Sequence, residues 1–354
     1  MKEHMNLRVG TGKFIIDNGA IDVLPSEIAR LGGRAMIIGG PTTTDIITNM
    51  FPSLGLNADN HIIHRHTGAC SRRWANEYAR EAHSRDCSLV IGIGGGKCID
   101  LAKATATIAD LSIITIPTSV ATCVATSAVC IMYTDAGKPD GSMQMNKEVD
   151  VCIADVNIIG TAPKRTLAAG ILDSIAKYPE VIHNRTITSY KDCDIEKYIC
   201  TVNGKAIYDF LFGVMDEVMT KGTESPRFRD VVLTNLLHTS VVSGFSYGTN
   251  QLAIAHGYYD FMRRQFTEEA AGYLHGELVA VGIIAQMAFN HEPPYEIEKM
   301  RKLMIDAGMP TTLKGTGFIE TEENINLLLD YLIENTGLTE EHRPLLRIAL
   351  RVIM

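Results

Sequence analysis

The alternation of short apolar runs with helix-like segments constrains this fold more than any other feature of the sequence. The apolar runs, which read as strands, lie at residues 35–38, 61–63, 88–93, 111–116 and 149–154. The helix-like segments between them lie at residues 45–51, 71–83 and 97–109. Strands separated by helices of this length predict a parallel, doubly wound sheet with right-handed crossovers.

The second half of the chain has a different pattern. A turn-rich excursion at residues 133–141 precedes the last apolar run. After Pro163 the sequence shows long helical periodicity with glycine and proline breaks, and no segment predicts a strand. We therefore predict two domains, an α/β domain at residues 1–160 and an all-α domain at residues 161–354.

Length and composition exclude several classes of protein. The 354 residues are 46% hydrophobic, enough for two packed domains, and the net charge of -8 disfavours a nucleic-acid partner. No apolar stretch approaches the roughly 20 residues of a membrane-spanning helix, and the segment Met1–Ile15 lacks the apolar centre of a signal peptide. Eight scattered cysteines without a CxxC pair read as thiols. We expect a soluble, cytoplasmic protein that binds a small-molecule substrate, and neither nucleic acid nor membrane.

A glycine triplet follows the clearest strand of the chain. Gly94, Gly95 and Gly96 lie between the run at residues 88–93 and the helix-like segment that begins at Lys97. Without Cβ atoms, the backbone N–H groups of such a turn can approach a diphosphate, and the positive end of the next helix points to the same place. The triplet thus indicates a pyrophosphate cradle, although a tight turn without a ligand explains it equally well. Its spacing matches neither the GxGxxG fingerprint nor the P-loop.

One carboxylate and two histidines in the second half are candidates for chemistry. Asp173 has small residues one helical turn away, so its carboxylate faces open space and needs a cation or hydrogen-bond donors. Lys177, four residues later, could be that cation. His256 lies in an apolar stretch where a hydrogen-bonded core histidine is common, and His275 could lie in a helix cap. The residues alone leave these alternatives open.

Four motifs together resemble those of the iron-containing alcohol dehydrogenase family, in particular its glycerol dehydrogenase-like branch. They are Gly94-Gly95-Gly96-Lys97-x-x-Asp100-x-x-Lys103, the loop from Pro117-Thr118 to Ser127-Ala128 with Tyr133 after it, Leu167 to Asp173, and Leu274-His275-Gly276-Glu277. Their shared order and spacing are far more specific than any one motif. The segment from Gly10 to Ala20 also resembles the first hairpin of the family.

The resemblance implies a fold of the dehydroquinate synthase type. In that fold an N-terminal Rossmann-like α/β domain and a C-terminal all-α domain place the active site in the cleft between them. It also implies NAD or NADP as the cofactor, and we expect a homo-oligomer. Transferred residue by residue, it implies that the cofactor contacts Gly94, Gly95, Gly96, Lys97, Asp100, Thr118, Ser127, Val129 and Tyr133.

The resemblance also implies a catalytic metal site. The aspartate and two histidines of the family correspond to Asp173, His256 and His275, a set that leaves positions for water and for a substrate oxygen. His256 would contact the substrate as well. The iron-dependent branch has further histidines at two positions that are Lys177 and Asp260 here. These departures favour Zn²⁺, with Fe²⁺ as the alternative.

Two departures from the family bear on specificity, and the first is at Cys123. Glycerol dehydrogenases have an aspartate here that contacts the substrate hydroxyls, whereas the Ala-Thr-Cys sequence resembles that of the hydroxycarboxylate dehydrogenases. Cysteine removes two acceptor oxygens and a negative charge, which favours a small 2-oxo or 2-hydroxy acid as substrate. A packing role for Cys123 is the alternative. Lys103 and Arg263 are candidates to pair with the substrate carboxylate.

The second departure follows the first apolar run. Where NAD-dependent members have an aspartate for the adenosine ribose, this chain has Gly39-Gly40-Pro41 and then Thr42, Thr43 and Thr44. Without the acid, a ribose 2′-phosphate is not repelled, and the hydroxyls could bond to it. The sequence is therefore compatible with the use of NADP, although no arginine closely follows this run in the sequence.

Three other functions share parts of this pattern. A cyclase of the 3-dehydroquinate synthase type has the same fold but a glutamate at the metal position, where this chain has Asp173. A glycerol-1-phosphate dehydrogenase needs a phosphate site, for which Arg263 and Arg264 are candidates. A non-catalytic binding protein would have little reason to retain the complete ligand set. We therefore predict a metal-dependent, NAD(P)-linked dehydrogenase that acts on the CH–OH group of a small polyol or 2-hydroxy acid.

Overall fold

The computed structural model describes residues 7–183, 185–245 and 253–354. Within these ranges the chain divides into two compact units, one formed by residues 8–162 with residues 228–240, and one by residues 163–227 with residues 241–354. The short segment 228–240, which the sequence groups with the helical half, packs in the first unit. Contacts such as the hydrogen bond from Arg229 Nη2 to the carbonyl of Ile16 (3.4 Å) hold it there.

The first unit is built on a parallel β-sheet. The strands of the unit are β1 (Phe14–Asp17), β2 (Ala35–Gly39), β3 (Ile62–Arg65), β4 (Leu89–Gly94), β5 (Ser112–Pro117), β6 (Val129–Tyr133), β7 (Pro139–Gln144) and β8 (Val151–Asp155). Six of them form the sheet, in the parallel order β1-β8-β5-β4-β2-β3, and β6 and β7 form a separate hairpin. The helices that follow these strands are α1 (Leu24–Arg30), α2 (Pro41–Met50), α3 (Arg72–Ser84), α4 (Gly96–Ala109) and α5 (Val156–Gly160).

The central strands are apolar along their whole length because both faces of the sheet are covered. Met36, Ile38 and Val90 belong to one buried cluster, whereas Ile37 and Ile91 belong to another. Successive residues of a strand point to opposite faces, so the two clusters lie on the two sides of the sheet. Such double burial is the rule for parallel sheets, and it confirms the predicted doubly wound fold.

Two strand assignments differ from the sequence-based expectations. Residues 10–20 do not form a hairpin, because β1 pairs in parallel with β8 and is followed by a 3-10 turn at Ala20–Val23. The excursion at residues 133–141 contains the start of β7, which pairs antiparallel with β6. The sequence of β7 has no apolar alternation, because every residue of this strand is exposed or half-buried.

The second unit is helical, as the sequence predicts. The remaining helices are α6 (Lys164–Ile175), α7 (Lys177–Ile182), α8 (Ile195–Lys221), α9 (Phe228–Leu233), α10 (Thr239–Phe245), α11 (Ile254–Gln265), α12 (His275–Phe289), α13 (Pro294–Asp306), α14 (Glu322–Asn335) and α15 (Arg343–Arg351), of which α9 lies in the segment that packs in the first unit. No strand occurs after residue 163 in the ranges that the structure describes. None of the described helices has both the length and the apolarity to cross a membrane.

Candidate functional site

The glycine triplet lies where β4 ends and α4 begins. Gly94 has a φ of 131°, a value that favours glycine, and its carbonyl accepts a hydrogen bond from the Thr118 amide (3.1 Å). Gly95 is the N-cap of α4 and is exposed, and a Cβ built there would meet no atom within 4 Å. Lys97, also exposed, places Nζ 5.8 Å from the ring centre of Tyr133. The turn therefore offers an open backbone surface of the kind that a diphosphate needs.

Beneath this turn lies a buried ion pair. Lys103 is fully buried, and its Nζ lies 3.0 Å from Asp100 Oδ1. The same ammonium donates hydrogen bonds to the carbonyls of Val124 (2.8 Å), Ser127 (3.1 Å) and Val129 (2.6 Å). A lysine bound in this way has no free donor for a substrate, so the candidate role of Lys103 as the partner of a substrate carboxylate is wrong. Its charge instead fixes the loop that carries the predicted cofactor residues.

Asp100 contributes to the same arrangement from the first turns of α4. Its Oδ2 accepts a hydrogen bond from the amide of Ile131 (3.1 Å), so the carboxylate joins α4 to β6. The side chain is buried. Of the predicted cofactor residues, the structure brings the glycine turn, Lys97, Thr118 and Tyr133 together at the surface of this unit, and it places Asp100 below them.

The loop from Thr118 to Ala128 is held from a second side by the segment 228–240. The hydroxyl of Thr126 donates to the carbonyl of Leu236, and Asn235 Nδ2 donates to the carbonyl of Val120 (3.5 Å). Cys123 is half-buried in this loop, and its carbonyl accepts hydrogen bonds from the next turn. The eight cysteines all lie in described ranges and are thiols.

The second unit brings the predicted metal ligands together. Asp173 Oδ1 on α6 lies 3.1 Å from His256 Nε2 on α11 and 3.2 Å from His275 Nε2 at the start of α12. One ligand atom from each of the three residues lies within 4.8 Å of the others, and Asp173 is buried. A carboxylate and two imidazoles that converge in this way could hold one divalent cation.

Gly276 and Gly282 let α12 approach α6 and α11 closely enough for the three ligand side chains to converge. A Cβ at Gly276 would lie 1.9 Å from the carbonyl oxygen of Ala169 on α6. A Cβ at Gly282 would lie 2.5 Å from Ala255 Cα on α11. No side chain fits at these distances, so α12 touches the backbones of both partner helices. This contact places His275 next to the ligands on α6 and α11.

Glu180 on α7 orients His256. Its Oε2 lies 2.5 Å from His256 Nδ1 and its Oε1 accepts the His256 amide at 2.8 Å. Because the buried carboxylate accepts a hydrogen bond from Nδ1–H, Nε2 faces Asp173 as a potential ligand atom. Glu180 is not among the site residues predicted from the sequence. Its contact with His256 joins residues 76 positions apart, so no local pattern in the sequence indicates it.

The electrostatics of the cluster follow from its burial and its charges. Burial raises the pKa of Asp173, but the charge of His275 and hydrogen bonds from both imidazoles outweigh it, and the pKa lies well below the ordinary value. Burial lowers the pKa of His256, but the Glu180 carboxylate more than offsets this and raises it to about 9. A cation bound at Nε2 would have to displace the proton that His256 carries at neutral pH.

The candidate phosphate ligands have other partners. Arg263 donates to the carbonyls of Ala270 (2.8 Å) and Tyr273 (2.6 Å), and Arg264 is paired with Asp260 (2.8 Å). Both guanidinium groups therefore stabilise the second unit internally. The candidate roles of these arginines in binding a phosphate or a substrate carboxylate are not supported by these contacts.

The two sites together define a class of protein. A doubly wound sheet with an open glycine turn is the framework of dinucleotide binding. A buried aspartate with two imidazoles, one of them oriented by a glutamate, is a ligand set of catalytic metal sites. The presence of both features in one chain is typical of oxidoreductases that use a dinucleotide and a metal ion.

The chain belongs to the iron-containing alcohol dehydrogenase family. The model of that family matches residues 11–156. A glycerol dehydrogenase of Citrobacter freundii is 31% identical over 265 residues, which are 72% of this chain and 69% of that protein. Hydroxycarboxylate dehydrogenase A of Escherichia coli is 29% identical over 292 residues, which are 82% of this chain and 78% of the relative.

The fold comparison agrees with the sequence comparison. The crystal structure of a probable glycerol dehydrogenase from Sinorhizobium meliloti 1021 superposes with a TM-score of 0.79 at 23% identity and covers 99% of this chain and 98% of that one. At this identity the likeness concerns the fold alone. It confirms the predicted architecture of an α/β unit followed by helices.

Proposed function

We propose that this protein interconverts a small 2-hydroxy acid and its 2-oxo partner, with a nicotinamide dinucleotide as cofactor and one divalent cation held by Asp173, His256 and His275. The observation that carries the proposal is the convergence of these side chains within 4.8 Å around a buried carboxylate. The expected cytoplasmic location, the homo-oligomer and the preference for Zn²⁺ over Fe²⁺ belong to the same proposal.

The residues around the cluster fit a catalytic cation. Asp173 supplies the negative charge, and Glu180 accepts a hydrogen bond from His256 Nδ1–H, which directs Nε2 toward Asp173, where a metal could bind in place of the Nε2 proton. A bound divalent ion would polarise the C–O bond of the substrate as a Lewis acid. The protein orients the ligand atoms in advance, because Gly276 and Gly282 lock α12 against its neighbours.

The variant Glu180→Gln is expected to weaken zinc binding by about 10–100-fold, the usual effect of removing a partner that orients a metal-binding histidine. A glutamine cannot accept hydrogen bonds from both the Nδ1–H and the backbone amide of His256 without turning its NH₂ group toward one of them. The dissociation constant is measured by competition with a chromophoric chelator.

The matched control is Glu298→Gln, which changes the same group in the same unit at a side chain that is 64% exposed. The control should bind zinc as the unmodified protein does. Equal zinc affinity of Glu180→Gln and the control, with both proteins folded, would contradict the role given to Glu180.

The cofactor site of the proposal is the open turn from Gly94 to Lys97. Its backbone amides and the start of α4 would face the diphosphate, and Thr118, Ser127, Val129 and Tyr133 would lie along the nicotinamide side. Asp100 acts on this site through Lys103, which fixes the carbonyls of the loop. We keep NAD and NADP as alternatives at this point.

The preference for a hydroxy acid depends on Cys123. The half-buried thiol stands where the glycerol dehydrogenases of the family have a carboxylate, so no negative charge repels an anionic substrate there. Similarity to both a glycerol dehydrogenase and a hydroxycarboxylate dehydrogenase supports the general reaction and leaves the substrate to be tested.

The variant Cys123→Asp is expected to lower kcat/KM for 2-oxo acids by roughly 100-fold or more relative to glycerol, because two close carboxylates in a poorly solvated site repel each other by several kcal/mol. Steady-state kinetics with a panel of 2-oxo acids, glycerol and other polyols, each with both nicotinamide cofactors, gives this ratio. Cys123→Ser is the matched control, since it keeps the size and adds no charge.

If the unmodified enzyme oxidises glycerol far faster than it reduces any 2-oxo acid, the substrate proposal is wrong. A plain polyol dehydrogenase is then the function. The alternative of a glycerol-1-phosphate dehydrogenase receives no support from Arg263 and Arg264, which are bound within their own unit. Glycerone phosphate belongs in the same panel as the direct test of that alternative.

A further inference from the structure

The pairing of β2 with β3 places an arginine beside the end of β2, although the residues that directly follow β2 in the sequence include none. Arg65 is the last residue of β3, and its backbone lies opposite Gly39, the last residue of β2. Its Nη2 and Nε donate to Asp45 Oδ1 on α2 at 2.6 and 3.0 Å. Both side chains are about half exposed, with relative exposures of 53% and 52%.

The end of β2 lies directly beside the glycine turn. Gly39 is also opposite Ile93 of β4, the residue before Gly94. The hydroxyl of Thr43, near the start of α2, donates to the carbonyl of Ile93 (3.3 Å) and lies 3.1 Å from the position of a Cβ on Gly94. In doubly wound folds, the adenosine ribose of a dinucleotide whose diphosphate lies on such a turn reaches the end of the neighbouring strand. Here that strand is β2.

Residues 39–44, which end β2 and begin α2 and are all described, include no carboxylate for an unmodified ribose. A Cβ at Gly39 would lie 2.6 Å from Ile93 Cγ2, so close packing keeps this position a glycine. The Thr44 hydroxyl donates to the carbonyl of Gly40 (2.9 Å), and the single hydroxyl proton of Thr43 is shared between the carbonyls of Gly40 (3.1 Å) and Ile93 (3.3 Å). The first carboxylate that follows β2 is Asp45, and it is bound to Arg65.

We propose that Arg65 binds the 2′-phosphate of NADP(H) and thereby determines the cofactor preference of the enzyme. This inference rests on the proposed dinucleotide site at the glycine turn. An exposed arginine–carboxylate pair contributes little to stability, so Arg65 can exchange Asp45 for another anion. A phosphate is the stronger partner, because it carries more charge and offers several oxygens to the planar guanidinium.

The test is the ratio of the dissociation constants of NADPH and NADH, measured by fluorescence titration of the full-length protein. In Arg65→Ala this ratio should rise by about tenfold or more, since one charge-assisted pair to the phosphate is lost. In Asp45→Asn the ratio should fall, because the competing carboxylate is removed. The matched control is Arg72→Ala, whose side chain is 52% exposed and pairs with Asp140 in the same unit. The control should keep the ratio of the unmodified protein.

The other outcomes of this titration separate a failure of the Arg65 inference from a failure of the proposed function. If both cofactors bind and Arg65→Ala leaves the ratio as it is in Arg72→Ala, Arg65 does not read the 2′-phosphate and the inference is wrong. If the unmodified protein binds NADH and excludes NADPH, the inference is also wrong, while the proposed function stands. If neither cofactor binds to the folded protein, the proposed function itself fails.

Discussion

A valine at Gly95 is expected to weaken the binding of the nicotinamide cofactor by about tenfold or more, which corresponds to at least roughly 1.4 kcal/mol. The backbone at Gly95 has φ −84° and ψ −178°, values that any residue can adopt, and a Cβ there meets no protein atom within 4 Å. The branched side chain would therefore project from the turn into the space that the proposal assigns to the diphosphate. The fold itself should tolerate the change.

Calorimetric titration with NADH and NADPH measures this effect, and thermal unfolding shows whether the variant is folded. Gly213→Val is the matched control, because Gly213 is exposed on α8 and a Cβ there also meets no atom within 4 Å. An unchanged dissociation constant in a folded Gly95→Val protein would show that the diphosphate does not bind at this turn.

The sequence predicts the strands of the sheet well where both faces of a strand are buried. β2 and β4 are buried on both faces, so each is a continuous apolar run that stands out from the flanking helices. β7 gives no such signal, because it pairs only with β6 and exposes most of its side chains. Elements without a buried face cannot be recognised from hydrophobic pattern alone.

Only part of the candidate site could be predicted from local sequence patterns, because its side chains are brought together by contacts between distant segments. Asp173, His256 and His275 each had an ordinary explanation when read alone, and only the family resemblance joined them as a ligand set. Glu180 was missed because its partner His256 lies 76 residues away. No short-range pattern reports a contact that arises from helix packing.

Long-range contacts also correct two expectations about charge. Lys103 was a candidate for a substrate carboxylate, but burial beside Asp100 and three backbone carbonyls makes it a structural group. Arg65 was overlooked because only the pairing of β3 with β2 brings it beside Gly39. In both cases the residue type was visible in the sequence, whereas its position was not.

The variant His275→Ala is expected to lose the bound metal and nearly all activity. It removes one of the three proposed ligands, and the remaining aspartate and histidine cannot hold the ion at the same affinity. Loss of a Lewis acid worth several kcal/mol lowers the rate by about a thousandfold or more. The matched control is His83→Ala, an exposed histidine in the last turn of α3.

The most direct measurement of the central claim is the metal content per chain, determined together with NAD(P)-linked turnover on the same preparations. We predict about one divalent ion per chain and full turnover for the unmodified protein and for His83→Ala. For His275→Ala we predict no bound metal and no turnover. Unmodified protein stripped by a chelator should also lack both, and should regain both when zinc is restored. Full turnover by metal-free unmodified protein, or by folded His275→Ala, would contradict a dehydrogenase whose chemistry depends on Asp173, His256 and His275.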